Sequence, residues 1–455
     1  MSLISILSSW DFFFFGAQDK TLTGNESSGF CRFCFYFSGY FLIVLLKRHI
    51  PFLKAVSFYA LTAFGGPQGH IGMMTRTFVQ RRKDVSEEEL LEYNAFCQML
   101  PGPSSTQTVM LIAMKRGGIS LAILTLLIWV LPAAFIMGAF SFLFYYIDLK
   151  DIQTNLFLFI KSMSVGFVFY AASLMMNKSV KHLATWGIML GALIITLLVH
   201  SPWVFPLVLI LAGMVSNFSN RRIPEHVEKP QKISWVNLWL FAAVFIVAGI
   251  LSETARIHHW EMRRIFNLFE NFYRFGSFVF GGGQTLLPMM LYQFVDMPKA
   301  HGATQLLSSA DLLAGYGLVQ AVPGPVFSIC SFVGGMVMSP YGWGWQFLGC
   351  LVATIAVFTP STMMLFFLYP IYQNLRQHVI IFRALEGFNA AVVGFIWASG
   401  IVLFQALNVN PLIFDWLNLS VAIVTFCILR FSKIPAPFVV LGWLIIGLMM
   451  NVTRL

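Results

Sequence analysis

The sequence predicts an all-α integral membrane protein made of two homologous half-units, arranged as inverted repeats, with broken or re-entrant helices at Gly-rich and Pro-Gly-Pro segments. Three observations predict it. The chain has 455 residues, of which 58% are hydrophobic and 11% charged, with a mean hydropathy of +0.76. Soluble domains average about 25% charged residues, so this composition does not cover a water-facing surface. Second, one unusual motif occurs twice, as Gln98-Met99-Leu100-Pro101-Gly102-Pro103 and Gln320-Ala321-Val322-Pro323-Gly324-Pro325. Each copy follows a Gly-rich stretch, Phe64-Gly65-Gly66-Pro67 or Phe280-Gly281-Gly282-Gly283. Pro lacks the N–H and Gly leaves the backbone unrestrained, so both interrupt helices. Paired interruptions in two halves of an apolar chain point to a transport site. Third, loop charge alternates in opposite senses along the two halves.

Residues 1–46 form a divergent N-terminal extension. They contain no basic n-region of a cleaved signal, and their apolar run 30–46 either spans or lies at the interface. Asn25-Glu26-Ser27 is a glycosylation sequon. Cys31 and Cys34 make a lone C-x-x-C with no second pair to complete a metal or redox site. The first repeat runs from 47 to 218. In it, Ser86-Glu87-Glu88-Glu89 reads as a helix start, with a capping Ser and acids in the first turn. That helix stops at Pro-Gly-Pro, and Ser104, Ser105 and Thr106 begin the next. Residues 103–115 are too few to span and read as re-entrant. Long apolar runs follow at 119–147, 157–176, 183–199 and 203–218. Residues 219–263 are a polar linker plus one connecting transmembrane helix, 235–251. The second repeat, 264–455, restarts the pattern with runs at 343–370, 380–405, 411–429 and 435–450.

The repeat extends beyond the motif. Gln98 and Pro101 align with Gln320 and Pro323 at an offset of 222, and Pro132 and Val165-Gly166 align with Pro360 and Val393-Gly394 at 228. Loops 76–83, 115–116 and 178–182 are basic, while their counterparts 296–299, 339–342 and 406–410 are weakly charged or uncharged. Loops 148–151 and 200–202 lack net positive charge, while their counterparts carry Arg376 with Arg383 and Arg430 with Lys433. By the positive-inside rule the halves are inverted. A tag in 178–182 is then cytoplasmic and one in 406–410 is not; finding both on one side would contradict the inversion. One loop disagrees, since Arg256, Arg263 and Arg264 fall outside.

The net charge of +10 sits in short clusters between apolar runs, so it is a topology signal, and nucleic acid is not an expected partner. No Walker A motif is present, and no His, Cys and Asp constellation supports a hydrolase or metal enzyme. The chain is therefore expected to be no enzyme and to need no cofactor or metal. Acids near the apolar regions are few, Asp311 and Glu386 foremost, which argues against a cation pump.

Helices that start at Ser104 and Val326 point free N–H groups and a positive dipole end into the membrane, the arrangement of an anion site. Ser104, Ser105, Thr106 and Ser328 add hydroxyls, and Gln98, Gln284 and Gln320 add neutral amides. Gly65, Gly66, Gly102, Gly282, Gly283 and Gly324 let backbone approach a ligand. Together they describe a cage of neutral donors around a small oxyanion. His70 is a candidate for proton coupling, and Arg81 and Arg82 for drawing anions to a cytoplasmic mouth. The structural alternatives are interhelical hydrogen bonds for the glutamines and the histidine, a kink for Pro-Gly-Pro, and plain topology for the arginines.

These residues resemble the chromate ion transporter family. The first half of the pattern is matched by Phe64-Gly65-Gly66-Pro67, His70-Ile71, Met73-Met74, Arg81-Arg82, Gln98, Pro101-Gly102-Pro103 and Ser105-Thr106-Gln107. The second half is matched by Phe275-Gly276-Ser277, Phe280-Gly281-Gly282-Gly283-Gln284, Leu287-Pro288, Gly317-Leu318, Gln320 and Pro323-Gly324-Pro325. The Trp usual after the first basic cluster is replaced by Lys83-Asp84-Val85. The resemblance covers roughly residues 48–452 and implies a long-chain, two-domain secondary transporter of the plasma membrane. It implies chromate as substrate, with sulfate as a related or exchanged ion, moved by alternating access and coupled to protons or a counter-anion. The lipid bilayer is the other partner, and a homodimer is left open. A sulfate-type oxyanion carrier, an anion channel and a membrane scaffold or receptor are the other classes the residues allow.

Overall fold

Between its Pro and Gly breaks the chain is helical. In the computed structural model, the residues described are 48–64, 66–146, 158–199, 204–217, 236–280, 283–300, 306–371, 379–407, 416–432 and 434–452, and no strand occurs among them. The chain divides into two compact units, Met1–Phe52 and Leu53–Leu455. In the first, residues 48–52 are helical; the extension 1–46, with its C-x-x-C pair and sequon, lies outside the described residues. Everything below concerns the second unit.

The first half-unit begins with α1 (residues 53–62). Then come α2 (Gly66–Met74), which passes into a π-helical turn, Thr75–Arg81, and α3 (Glu87–Met99). Ser86 caps α3 as its sequence predicts. Glu89 N donates to Ser86 Oγ at 3.1 Å, and Ser86 N donates back to the Glu89 carboxylate at 2.9 Å. Next, α4 (Ser104–Tyr146) breaks at Gly117 and Gly118, where Gly118 has φ 72° and ψ −166°. The break separates a short arm, 104–116, from a long arm, 119–146. The half closes with α5 (Leu158–Ser179), α6 (Leu183–Leu198) and α7 (Val204–Ser216).

After the connecting helix α8 (Val236–Ile257), the second half runs through the same order. It comprises α9 (Arg263–Phe278), α10 (Leu286–Leu291) with its own π-helical turn Tyr292–Asp296, and α11 (Ser309–Val319). Ser308 caps α11 in the register of Ser86, accepting from Asp311 N at 3.0 Å. Asp311 is thus a capping residue. A short arm follows, a 3-10 turn Val326–Ser328 leading into α12 (Ile329–Met338). A turn at Gly342, φ 102°, separates it from the long helix α13 (Trp343–Leu368). The last three helices are α14 (Val379–Leu407), α15 (Trp416–Phe431) and α16 (Ala436–Val452).

Among the described residues five helices, α4, α5, α8, α13 and α14, are long and apolar enough to cross a bilayer. The runs expected to complete four crossings per half form shorter helices, the briefest being α7 with 13 residues. At 1.5 Å per residue α7 rises about 20 Å, less than the roughly 30 Å hydrocarbon core. Outward apolar side chains such as Leu211, Trp239, Ile250, Phe438 and Met449 are more than half exposed. In water such a surface would associate; in lipid it is the ordinary contact surface.

The halves are interleaved rather than laid side by side. α5 packs against α11, α15 and α16 of the second half, and α14 packs against α6 and α7 of the first. Both central helices are 67% buried along their apolar windows, against 11% for α8. Gly166 on α5 allows the crossing, since a Cβ there would sit 2.6 Å from Ala422 O of α15. Its aligned partner, Gly394 on α14, does the same against Met189 O of α6, at 2.4 Å.

The two Pro-Gly-Pro turns are exchanged in the same reciprocal way. Gly102 N donates to Val279 O at 2.6 Å, and Gly324 N donates to Ala63 O at 3.0 Å. Each acceptor immediately precedes the Gly-rich segment of the opposite half. Both glycines have positive φ, 106° and 119°, a conformation costly for any residue with a Cβ. Each also lies flush against the opposite long helix one residue past its internal proline. A Cβ on Gly102 would meet the Cβ of Ser361, after Pro360, and one on Gly324 that of Ala133, after Pro132, at 2.7 Å.

Candidate functional site

Pro101-Gly102-Pro103 ends α3 and starts the short arm of α4. Residues 101–113 are all buried, as are 324–335 in the second half. Both short arms are therefore enclosed by protein, as a segment too short to span must be. The first backbone bond of the α4 arm is Gln107 N to Pro103 O, at 3.0 Å. The N–H groups of Ser104, Ser105 and Thr106 thus lack a carbonyl in their own helix, as every helix start leaves them.

Side chains from three other helical segments converge on this start. His70, from α2, faces Ser105, with Nδ1 3.0 Å from Oγ. Trp129, from the long arm of α4, donates Nε1–H to Thr106 Oγ1 at 2.9 Å, which leaves the Thr106 hydroxyl proton free to donate. Tyr59, from α1, stacks on Trp129 with ring centroids 4.5 Å apart, and His70 meets the Trp129 ring edge-on at 5.2 Å. Gln107 Nε2 donates to Pro101 O at 2.9 Å and, across to the second half, to Ser361 O at 3.3 Å. All six side chains are buried. Two polar atoms in the group, His70 Nε2 and Gln107 Oε1, are buried without a hydrogen-bond partner, each an arrangement that costs on the order of 1–3 kcal/mol.

The second half follows a similar order of elements without the same chemistry. Alignment of the Gly-rich segments places Phe275 at Tyr59 and Leu286 at His70. Alignment of the Pro-Gly-Pro turns places Phe327 at Ser105 and Ile329 at Gln107, and the internal prolines place Val357 at Trp129. All five are buried and apolar. Ser328, opposite Thr106, keeps a hydroxyl, but donates it to Pro325 O at 2.8 Å.

The residues proposed from sequence therefore separate. Ser104, Ser105, Thr106 and His70 come together in one buried group. Gly102 and Gly324 are the seats of the exchanged turns, and Gly283 packs against Val326 at the start of the second arm. Gln320 is buried at the end of α11, whereas Gln98 is exposed at the end of α3. Gly66 begins α2, and Gln284 lies in the 3-10 turn Gly283–Thr285. Gly65, Gly282 and the Gln284 side chain lie outside the described residues. Arg81 is exposed. Arg82 is tied to Asp84 at 2.8 Å, and Arg116 holds the other oxygen of that carboxylate, whose side chain is 1% exposed. Asp84, bound by Arg82 within its own turn and by Arg116, thus fastens the turn before α3 to the end of the short arm, beside Lys115 bound to Glu89 at 2.5 Å.

Tyr59, Gln107 and Trp129 were not singled out from the sequence as site residues. Their signal was there: each is a polar or amphipathic residue whose repeat counterpart is Phe, Ile or Val.

The profile of the family described as Chromate transporter matches residues 51–217 and 266–448. A protein named an uncharacterized transporter in Methanocaldococcus jannaschii is 27% identical over 408 residues, covering 88% of this chain and 93% of that one. A chromate transport protein of Cupriavidus metallidurans is 25% identical over 389 residues, covering 85% and 89%. A probable chromate transport protein of Synechococcus elongatus is 26% identical over 370 residues, covering 79% and 86%. No solved structure matches the chain.

Proposed function

The chain belongs to the chromate transporter family and is a multi-pass integral membrane protein, and on that premise we propose that it carries chromate across the plasma membrane by alternating access. The observation that supports the reading most is the buried start of the α4 arm, where orphan N–H groups and two hydroxyls meet a histidine whose Nε2 has no partner.

Chromate is a small tetrahedral dianion. The Ser104, Ser105 and Thr106 N–H groups and the positive dipole end of the arm would hold two of its oxygens without a fixed charge. The Thr106 hydroxyl, positioned by Trp129, would donate to a third. His70 would complete the set: with Ser105 donating to Nδ1, Nε2 carries a proton and donates to the anion. A second proton on His70 would make part of the cargo charge disappear, which couples anion movement to a proton gradient. Neutral donors suit a carrier, since a fixed pair of arginines would bind a dianion too tightly to release it.

The two repeats would be inverted, with the halves moving about their exchanged Pro-Gly-Pro turns. Gln320, buried near the second turn, would orient the anion from the opposite side. Gln98, exposed at the first turn, would meet it on entry, and Arg81 would raise its local concentration at the cytoplasmic mouth. Sulfate has the same shape and charge as chromate, and would share the site.

The test is radiolabelled chromate flux into proteoliposomes under an imposed pH gradient, with sulfate as competitor. Ser105→Ala with Thr106→Ala should cut the rate about 100-fold, equivalent to about 2.7 kcal/mol, while leaving the thermal midpoint in detergent within a few degrees. Normal flux by a well-folded double variant would rule out this site. Flux independent of the pH gradient would remove the coupling role of His70 while leaving the anion site standing.

A further inference from the structure

The loop that breaks the charge rule, between α8 and α9, forms one wall of a cleft of about 370 Å³. Its other wall is the turn between α12 and α13. Arg263 and Arg264 stand in it with His259, Trp260, Tyr341 and Trp345. Arg263 Nη1 lies 2.9 Å from His259 Nδ1, and the Arg264 guanidinium lies 4.5 Å over the Tyr341 ring.

Neither arginine is paired with a carboxylate among the described residues. Several other bases of the molecule are held by acids. Arg82 and Arg116 share Asp84, Lys115 holds Glu89, Arg256 holds Glu253 and Arg274 holds Glu270. Arg263 and Arg264 also sit in the first turn of α9, which contains no acid, so the helix dipole adds to their positive field rather than offsetting it. Two guanidiniums hold ten N–H donors between them, and one histidine nitrogen and one ring face use few. Among the described residues the only acid lining the cleft is Glu261, which is exposed. On the orientation that the loop charges predict, this pair lies opposite the side where the positive-inside rule places arginines.

We propose that this cleft binds one tetrahedral oxyanion group, held in the fork of Arg263 and Arg264 and covered by the Trp260 and Tyr341 rings. Arginine forks match such groups bidentately. The chemistry has two sources, the phosphate of an anionic lipid and a free inorganic oxyanion. Aromatic residues beside a basic pair at helix ends suit the first. The site is separate from the α4 arm and does not depend on what that arm carries.

Two measurements on the purified full chain in neutral detergent test it, each run on wild type, Arg263→Gln with Arg264→Gln, and Arg256→Gln as a control for charge alone. Native mass spectrometry after mixing with equal amounts of phosphatidylglycerol and phosphatidylcholine reads the lipid source. Thermal stabilisation by inorganic phosphate, against equal ionic strength of chloride, reads the free source. Preferential phosphatidylglycerol retention that falls at least fivefold in the double variant and not in the control assigns a lipid headgroup. A phosphate-specific shift that disappears only in the double variant assigns a free oxyanion. Should the double variant not fold, Glu261→Gln tests the same cleft in the opposite sense, by strengthening whichever binding the wild type shows at least twofold. Equal retention of both lipids with no phosphate-specific shift, or binding unchanged in these variants, overturns the site.

Discussion

The two halves run through a similar order of elements and differ in what they bury. Each has a Gly-rich start, a capped helix into Pro-Gly-Pro, an enclosed short arm and a long helix with an internal proline. Each turn is seated in the opposite half by the same pair of contacts. Yet the first half surrounds its arm with Tyr59, His70, Ser105, Thr106, Gln107 and Trp129, and the second with Phe275, Leu286, Phe327, Ile329 and Val357. The difference teaches that pairing constrains geometry and chemistry separately. An exchanged turn needs glycine on both sides, because each presses against the other half. One set of donors is enough for one ion, so the second arm is free to become packing.

The largest expected effect breaks the shared part. Gly102→Ala and Gly324→Ala each place a methyl into a neighbouring Cβ while holding a positive φ. Each should cost on the order of 3 kcal/mol or more, with loss of monodisperse protein on size-exclusion chromatography. Gly342→Ala is the control. Its φ is also positive, at 102°, but a Cβ there meets nothing within 4 Å, so only backbone strain of about 1–2 kcal/mol remains. If Gly324→Ala were tolerated like Gly342→Ala, the reciprocal seating would be wrong.

The next effect sharpens the unshared part. Ser328→Ala removes a hydroxyl already spent on Pro325 O, so chromate flux should stay within about threefold of wild type. Thr106→Ala, at the matching position, removes a hydroxyl whose proton is free, and should cost about tenfold or more, or roughly 1.4 kcal/mol. Flux measured side by side at matched protein density decides it. Equal losses would mean that the anion contacts both arms alike.

Much of the shared part was legible in the sequence, because it is written in residues with few structural uses. Pro and Gly at matching offsets located the breaks. Ser86 with Glu89 predicted a cap that forms as written, whereas Val165-Gly166 and Val393-Gly394 read only as aligned positions and prove to be where helices cross closely. The unshared part was half legible. Ser104, Ser105 and Thr106 stand out because a helix start in an apolar chain asks for donors, and His70 because it is a titratable group just past the Gly-rich stretch. Trp129 and Tyr59 do not, because a large aromatic in an apolar run looks like any other core residue until a neighbour from another helix turns its polar edge inward. Gln98 and Gln320 look equivalent in sequence and differ in burial, since burial is set by which helices pass over each position. That the halves would exchange their turns is a long-range property with no local signature.

A smaller effect tests the crossings. Gly166→Ala and Gly394→Ala each push a methyl against a backbone carbonyl of the opposite half, Ala422 O and Met189 O. Helices can separate slightly to admit it, so each should cost about 1–3 kcal/mol, read as a lowered thermal midpoint. The two should match closely, because the contact is the same on both sides. A loss confined to Gly166→Ala would show that only α5, and not α14, is held at its crossing.

The smallest expected effect concerns the two caps, Ser86 and Ser308. Removal of either hydroxyl by Ala should cost about 1 kcal/mol. The two are not quite equal. Ser86 is exposed, and water replaces it at Glu89 N, while Glu89 keeps its bond to Ser86 N and its contact with Lys115. Ser308 is half-buried and also donates to the Asp311 carboxylate at 2.5 Å, so Ser308→Ala leaves a half-buried acceptor with one donor fewer and should be the more destabilising. Neither cap touches the buried hydroxyls of the α4 arm, so neither variant should alter chromate flux more than about twofold once protein density is matched. A flux defect in Ser308→Ala alone, without a matching loss of stability, would give the second half a working role that its apolar arm does not.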